Sequence, residues 1–150
     1  MRHTTEEDVS FLHPAPPGFV AFSEIADPLV SHVGPMYQRL DDTGERIGAF
    51  FVTARHLDQT GGSVLHEGML LLAADLFLGL TAFGASQGRR CVTLGLNASR
   101  LGVARLGDLV EIRPRIDGVA PSIIQASARI STHAGIIMNI SSHWKILGAS

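Results

Sequence analysis

The residue that first asks for a chemical explanation is Asp75, a single carboxylate in the most apolar run of the chain, residues 68–83. An ionised carboxylate cannot be buried alone, so it must be paired, hydrated or protonated. Helical spacing places Asp75 on one face with Gly68, Leu71, Leu72, Gly79 and Ala82. Two of these are glycines, each worse than alanine in a helix by about 1 kcal/mol. Small residues beside an acid let a ligand or a second backbone come close. The alternative is an acid satisfied by neighbouring hydroxyls or by another helix, and the chemistry alone leaves both readings open. A second element is the start of the same helix, where Glu67 and Gly68 fall in the first turn. Free N–H groups and the positive end of the macrodipole lie there, able to polarise a carbonyl or hold an oxyanion. Every helix has such an end, and Glu67 is also a favourable charge at that position. His66, with no second histidine nearby, is a poor metal site and reads as a half-exposed terminal residue.

The elements that must position these residues follow from the pattern on either side. Leu, Ala and Met dominate residues 66–84, which predicts one long helix stopped at Gly84. Asp27 before Pro28 can start a short helical segment within 25–33. Strands are predicted at 36–40 and 46–55 around the turn Asp41-Asp42-Thr43-Gly44, and a Gly-rich loop at 56–63. Four more strands follow, at 91–101, 109–116, 122–131 and 136–147, with Asp117-Gly118 and His133-Ala134-Gly135 as turns. A strand pair, one apolar helix and four strands describe an α+β domain, an antiparallel sheet with one helix against it. Residues 1–20, with Pro14, Pro16 and Pro17, read as a flexible tail, and 21–150 as a single domain.

Composition narrows the function classes. The chain has 150 residues, enough for one domain with its own core. Charged residues make up 17% of it, below the roughly 25% of a typical globular chain, which hints at surface hidden in an oligomer. The net charge of −2 provides no field for nucleic acid. Cys91 is the only cysteine, so no disulfide forms within the chain, and a cytoplasmic setting is expected. The start is polar and lacks an apolar leader, and the run at 68–83 is too short and too interrupted for a membrane span, so no membrane is expected. Lys145 is the only lysine, so nearly all positive charge is arginine, whose planar forks suit phosphate.

The segment from Thr60 to Asp75 resembles the hotdog-fold thioesterases of the phenylacetate-degradation type. Their pattern is an Asn, a Gly, then His-Gly-Gly opening the central helix and an Asp nine residues after the His. His66, Gly68 and Asp75 match that spacing. Gly34-Pro35-Met36-Tyr37, Thr93 and Arg105-Leu106-Gly107-Asp108 extend the resemblance over about residues 34–147. It implies a hotdog fold, with the sheet wrapped around one long central helix, and hydrolysis of an acyl-CoA thioester with neither metal nor organic cofactor. Carried over, Asp75 is general base or nucleophile, and the N–H of Glu67, following His66, polarises the carbonyl. Thr93 orients the acid or the water. Arg89, Arg90, Arg100 and Arg105 are candidates for the CoA phosphates, though any one of them is equally a solvated surface charge. Two positions depart from the pattern. Thr60 stands where the family has its Asn and lacks the amide. Glu67 stands at the first Gly, keeping the N–H but adding bulk and negative charge. These departures leave room for a non-catalytic acyl-CoA-binding or sensing protein on the same fold. A hotdog dehydratase would show a catalytic His in a Pro-rich loop, which is absent here.

Glu67 and Asp75 are eight residues apart, about 12 Å along a helix axis. A thioester carbon held at the Glu67 N–H needs its attacking atom within about 3–3.5 Å. One chain therefore cannot supply both groups. An antiparallel second helix would bring its own Asp75 to the first chain's Glu67, giving a homodimer with two shared sites, able to associate further into a tetramer.

Overall fold

The structure, a computed structural model, describes residues 13–23 and 26–148. In chain order the elements are β1 (Val20–Ala21), α1 (Pro28–Val33), β2 (Tyr37–Leu40), β3 (Arg46–Phe51), α2 (Glu67–Ala85), β4 (Cys91–Arg100), β5 (Leu109–Val119), β6 (Ile123–Thr132) and β7 (Gly135–Ile146). All strand pairs are antiparallel, in the order β1-β2-β3-β5-β6-β7-β4. The single sheet curls around α2, the arrangement the resemblance implied.

The period of 3.6 decides which side of α2 meets the sheet. Met69, Leu70, Ala73, Ala74, Phe77 and Leu78 are buried. The strands answer with alternate residues, among them Ile112, Ile124, Ile130 and Met138. Two glycines set how close helix and sheet can come. Gly48 in β3 lies under the Phe77 ring, where an added Cβ would sit 2.3 Å from ring carbons. Gly79 in α2 lies under Trp144, with 3.2 Å available to a Cβ. The helix starts at His66 and ends at Ser86, whose N–H bonds to Ala82 O. Asp27 caps α1 by accepting from the N–H groups of Leu29 and Val30.

Several boundaries differ from the sequence reading. Of the expected tail, residues 1–12 lie outside the described residues, and so do 24 and 25, the latter being the first residue of the segment 25–33. From residue 13 the chain belongs to the domain. His13 O accepts from Tyr37 OH at 2.7 Å, and Phe19 is buried on the outer side of the sheet against Tyr37, Ile47 and Ala49. The Arg39 guanidinium lies 5.2 Å from the Phe19 ring centroid. Val20–Ala21 then adds a strand to the expected pair. The proline-rich composition hid this, because proline is compatible with an extended strap as well as with disorder.

Asp117-Gly118 is not a turn. β5 runs through it to Val119, with a bulge between Ile116 and Gly118 that absorbs the extra residue, and Arg115 holds Asp117 at 2.9 Å. Residues 52–55 do not continue β3. Thr53 and His56 close a short 3₁₀ turn, Ala54–His56, which redirects the chain towards α2.

Candidate active site

A short antiparallel hairpin delivers the chain to α2. His66 N–H donates to His56 O at 2.8 Å and Asp58 N–H to Val64 O at 2.9 Å. His66 then acts as the helix N-cap through its ring, Nδ1 accepting from the Gly68 N–H at 2.9 Å. The ring proton therefore resides on Nε2. With Gly68 capped, the Glu67 N–H finds no acceptor among the described residues. It is an exposed donor at the positive end of a 19-residue helix.

His56 fixes the base of that hairpin. Its Nδ1 accepts from the Thr53 N–H at 3.1 Å, and its Nε2 donates to Val33 O at 2.6 Å. Burial holds its pKa below the ordinary 6.5, the hydrogen bond to Val33 opposing only in part. The fold thus keeps His56 neutral while the unfolded chain takes up a proton near pH 6.5. Its contribution is complete above that pH and is lost as pH falls below it. His56→Leu leaves the Thr53 donor and the Val33 acceptor unpaired, so it is expected to destabilise by about 1–3 kcal/mol. Melting curves between pH 5 and 8 check both statements: the wild type should lose stability below about pH 6.5 and the variant should show a weaker dependence.

Midway along α2, the Thr93 hydroxyl donates to Asp75 Oδ1 at 2.8 Å. Asp75 is half-buried, and so are its helix neighbours Leu71, Leu72, Leu76, Gly79 and Leu80. Partial exposure and one hydroxyl resolve the problem of a lone carboxylate in an apolar run. Ala82, expected on this face, is buried instead where Cys91 crosses the helix end with Sγ 3.8 Å from Ala82 O.

Thr60 is exposed at the tip of the hairpin. Its hydroxyl donates to Asp58 Oδ1 at 2.7 Å and its N–H to the same oxygen at 3.1 Å. The Thr60 hydroxyl, then its N–H, hold the Asp58 carboxyl below the usual carboxylate range, helped by the charge of Arg100. Arg105 ties the hairpin to the loop after β4: its Nη1 donates to Gly62 O at 2.9 Å, and Leu106 N–H donates to Ser63 O at 3.1 Å. Arg100 Nε donates to Gly102 O at 3.2 Å. Arg89 and Arg90 lie beyond the other end of α2, about 28 Å from Glu67 by helix rise. Arg89 Nε bonds to Ser86 O at 3.1 Å, and Arg90 O accepts from Leu147 N–H at 2.8 Å.

Within one chain, then, His66, Glu67, Gly68, Thr60, Arg100 and Arg105 gather at the helix start. Asp75 and Thr93 lie midway, and Arg89 and Arg90 at the far end. Asp58 and His56 were missed by the sequence reading. Asp58 could have been found from its Asp-x-Thr-Gly turn chemistry, whereas nothing local marks His56 as buried. Among the described residues no group of three His, Cys, Asp or Glu side chains could hold a metal ion.

Beside His66 and Gly68 opens a cavity of about 330 Å³, walled by Val33, His56, Leu57, Met69 and Leu72 with Arg55 at its edge. It is mostly apolar and lies next to the exposed Glu67 N–H. A larger trough of about 590 Å³ lies on the outer face of the sheet, among Arg113, Arg115, Arg129, Asn97 and Asn139, away from Asp75.

No family model matches the chain. It is 33% identical over 111 residues to the putative esterase PA0474 of Pseudomonas aeruginosa, a match spanning 73% of this chain and 80% of that protein. Its fold is shared with the PaaI protein from the phenylacetic acid degradation operon of E. coli, at TM-score 0.70 and 18% identity over 83% of this chain and 88% of that one. It is shared also with smu.793 of Streptococcus mutans UA159, solved bound to acetyl CoA, at TM-score 0.69 and 17% identity over 85% and 97% of the two chains.

Proposed function

The chain belongs to the PaaI-like hotdog thioesterases, and from that premise we propose that it hydrolyses an acyl-CoA thioester to the free acid and CoA in a site shared between two copies. The observation that carries this reading is the hydrogen bond from Thr93 to Asp75, which holds a half-exposed carboxylate on an otherwise apolar helix face. The acyl carbonyl is seated on the Glu67 N–H, with the acyl group in the adjoining apolar cavity. The partner's Asp75 takes a proton from water as the water oxygen adds to the carbonyl carbon, or adds directly as nucleophile. Negative charge collects on the former carbonyl oxygen, where the Glu67 N–H and the helix dipole stabilise it. Collapse breaks the C–S bond. On the general-base route the thiolate leaves with the proton held by Asp75, and the free acid remains. On the nucleophilic route an acyl–Asp75 anhydride remains, which a water then hydrolyses to the acid, restoring the carboxylate.

A second copy is supported by the surface that one chain leaves open. β4 ends the sheet, with ten residues and one strand neighbour. Leu94 is 57% exposed and Phe83 47%, beside the half-buried leucines around Asp75. Thiol release from a panel of acyl-CoAs, read with a chromogenic thiol reagent, tests the activity. The occupied Thr60 hydroxyl and the Glu67 side chain favour one other reading, an acyl-CoA-binding protein without turnover. That reading requires thermal stabilisation by acyl-CoA with no thiol released.

Glu67→Gly separates main chain from side chain. If only the N–H acts, kcat should stay level or rise, while the loss of a favourable charge at the helix start lowers stability by about 0.3–1 kcal/mol. A large fall in kcat would make the carboxylate a participant. Steady-state kinetics and a melting curve on the same sample read both.

A further inference from the structure

We infer that the Asp58–Thr60 pair is a hydrogen-bond acceptor for the amide N–H of the pantetheine arm, and so makes this enzyme selective for thioesters that carry such an amide. The inference rests on the acyl-CoA reading above. Its first support is the direction of one hydrogen bond. The Thr60 hydroxyl has a single proton, and Asp58 Oδ1 lies 2.7 Å away. Asp58 is held in its ionised, acceptor-only form by the two hydrogen bonds from Thr60 and by the charge of Arg100. The Thr60 proton is therefore committed inward, and only lone pairs face out. The asparagine this position resembles would offer N–H donors; Thr60 cannot donate to a thioester carbonyl, and can only accept.

The second support is proximity at one end of α2. The thioester carbonyl belongs at the Glu67 N–H. Arg100 is near enough to Asp58 to act on its charge, and Arg105 is bonded to Gly62 two residues after Thr60. Thr60 thus shares the start of α2 with the carbonyl-polarising group and the two arginines, on a tip fastened on both sides. The part of an acyl-CoA between its thioester and its phosphates is the pantetheine arm, whose donors are secondary amide N–H groups. An acceptor that is fixed, charge-backed and exposed at that point fits such a donor. Asp58 is here a positioning residue, acting through the Thr60 hydroxyl.

The test compares two small thioesters of one acid: the N-acetylcysteamine thioester and its analogue with an ester oxygen in place of the amide N–H. The wild type should prefer the amide about five- to tenfold in kcat/KM, the worth of one hydrogen bond, with the difference falling on KM. Thr60→Val should abolish the preference and Thr60→Ser retain it. Asp58→Ala should reduce it, because the freed hydroxyl can turn its proton outward. Equal kcat/KM for the two thioesters in the wild type, or an undiminished preference in Thr60→Val, would overturn the inference while leaving the thioesterase reading intact. Turnover of no thioester, acyl-CoA included, would overturn both.

Discussion

Asp75→Asn is expected to lose about 10²–10⁴ in kcat while keeping the fold and its affinity for acyl-CoA, because general-base assistance is worth that much. The amide is isosteric with the carboxyl and can still accept the Thr93 hydroxyl that now lies 2.8 Å from Oδ1. The site's shape should survive, and only the proton acceptor is removed. Asp75 is half-buried rather than enclosed, so the substitution leaves no orphaned charge or cavity to confuse the reading. Single-turnover kinetics with acyl-CoA, and binding measured by thermal shift, separate the two quantities. Near-native kcat would remove Asp75 from the chemistry.

Gly48→Ala should have the largest effect on stability. An added Cβ would lie 2.3 Å from the Phe77 ring, and Phe77 is fully buried in the middle of the face that α2 turns to the sheet. Neither side can yield cheaply: β3 is fastened between β2 and β5. Overpacking of this kind costs about 1–3 kcal/mol and sometimes more, so Tm should drop by roughly 2–12 °C for a chain of this size. Phe77→Leu vacates ring volume against the new methyl, so the double variant should be more stable than the sum of its parts, a coupling that a melting-curve cycle reads directly.

The helix and its acid were legible because their signals are local and strong. A run of Leu, Ala and Met bounded by polar residues has few other ways to fold, and a lone Asp inside it demands a partner. The partner was not readable from spacing. Thr93 is eighteen residues away and reaches Asp75 only because β4 folds back along α2; the resemblance, not periodicity, singled it out. The same limit hid the strap at residues 13–21, whose anchor Phe19 is buried in a cluster with residues of β2, β3 and β5, distant in sequence. Asp117-Gly118 misled for the opposite reason. It has the composition of a turn, but an ion pair to Arg115 and a bulge keep it inside β5. At the hairpin tip, the residue type at position 60 was readable, whereas the commitment of its proton to Asp58 required geometry.

In the proposed dimer each site takes Glu67 from one chain and Asp75 from another. Two inactive variants test it together. Asp75→Asn removes the acid. Glu67→Pro removes the carbonyl-polarising N–H at a position where proline suits the first helical residue, and His66 already has the extended backbone, φ −63° and ψ 131°, that precedes a proline. When the two are co-expressed or refolded together, half of the dimers are mixed, and each mixed dimer holds one site with both groups intact. The mixture is expected to recover about a quarter of wild-type turnover from two proteins that are each nearly inactive. Turnover no greater than the sum of the two variants measured alone, in a preparation shown to contain mixed dimers, would contradict a site shared between chains.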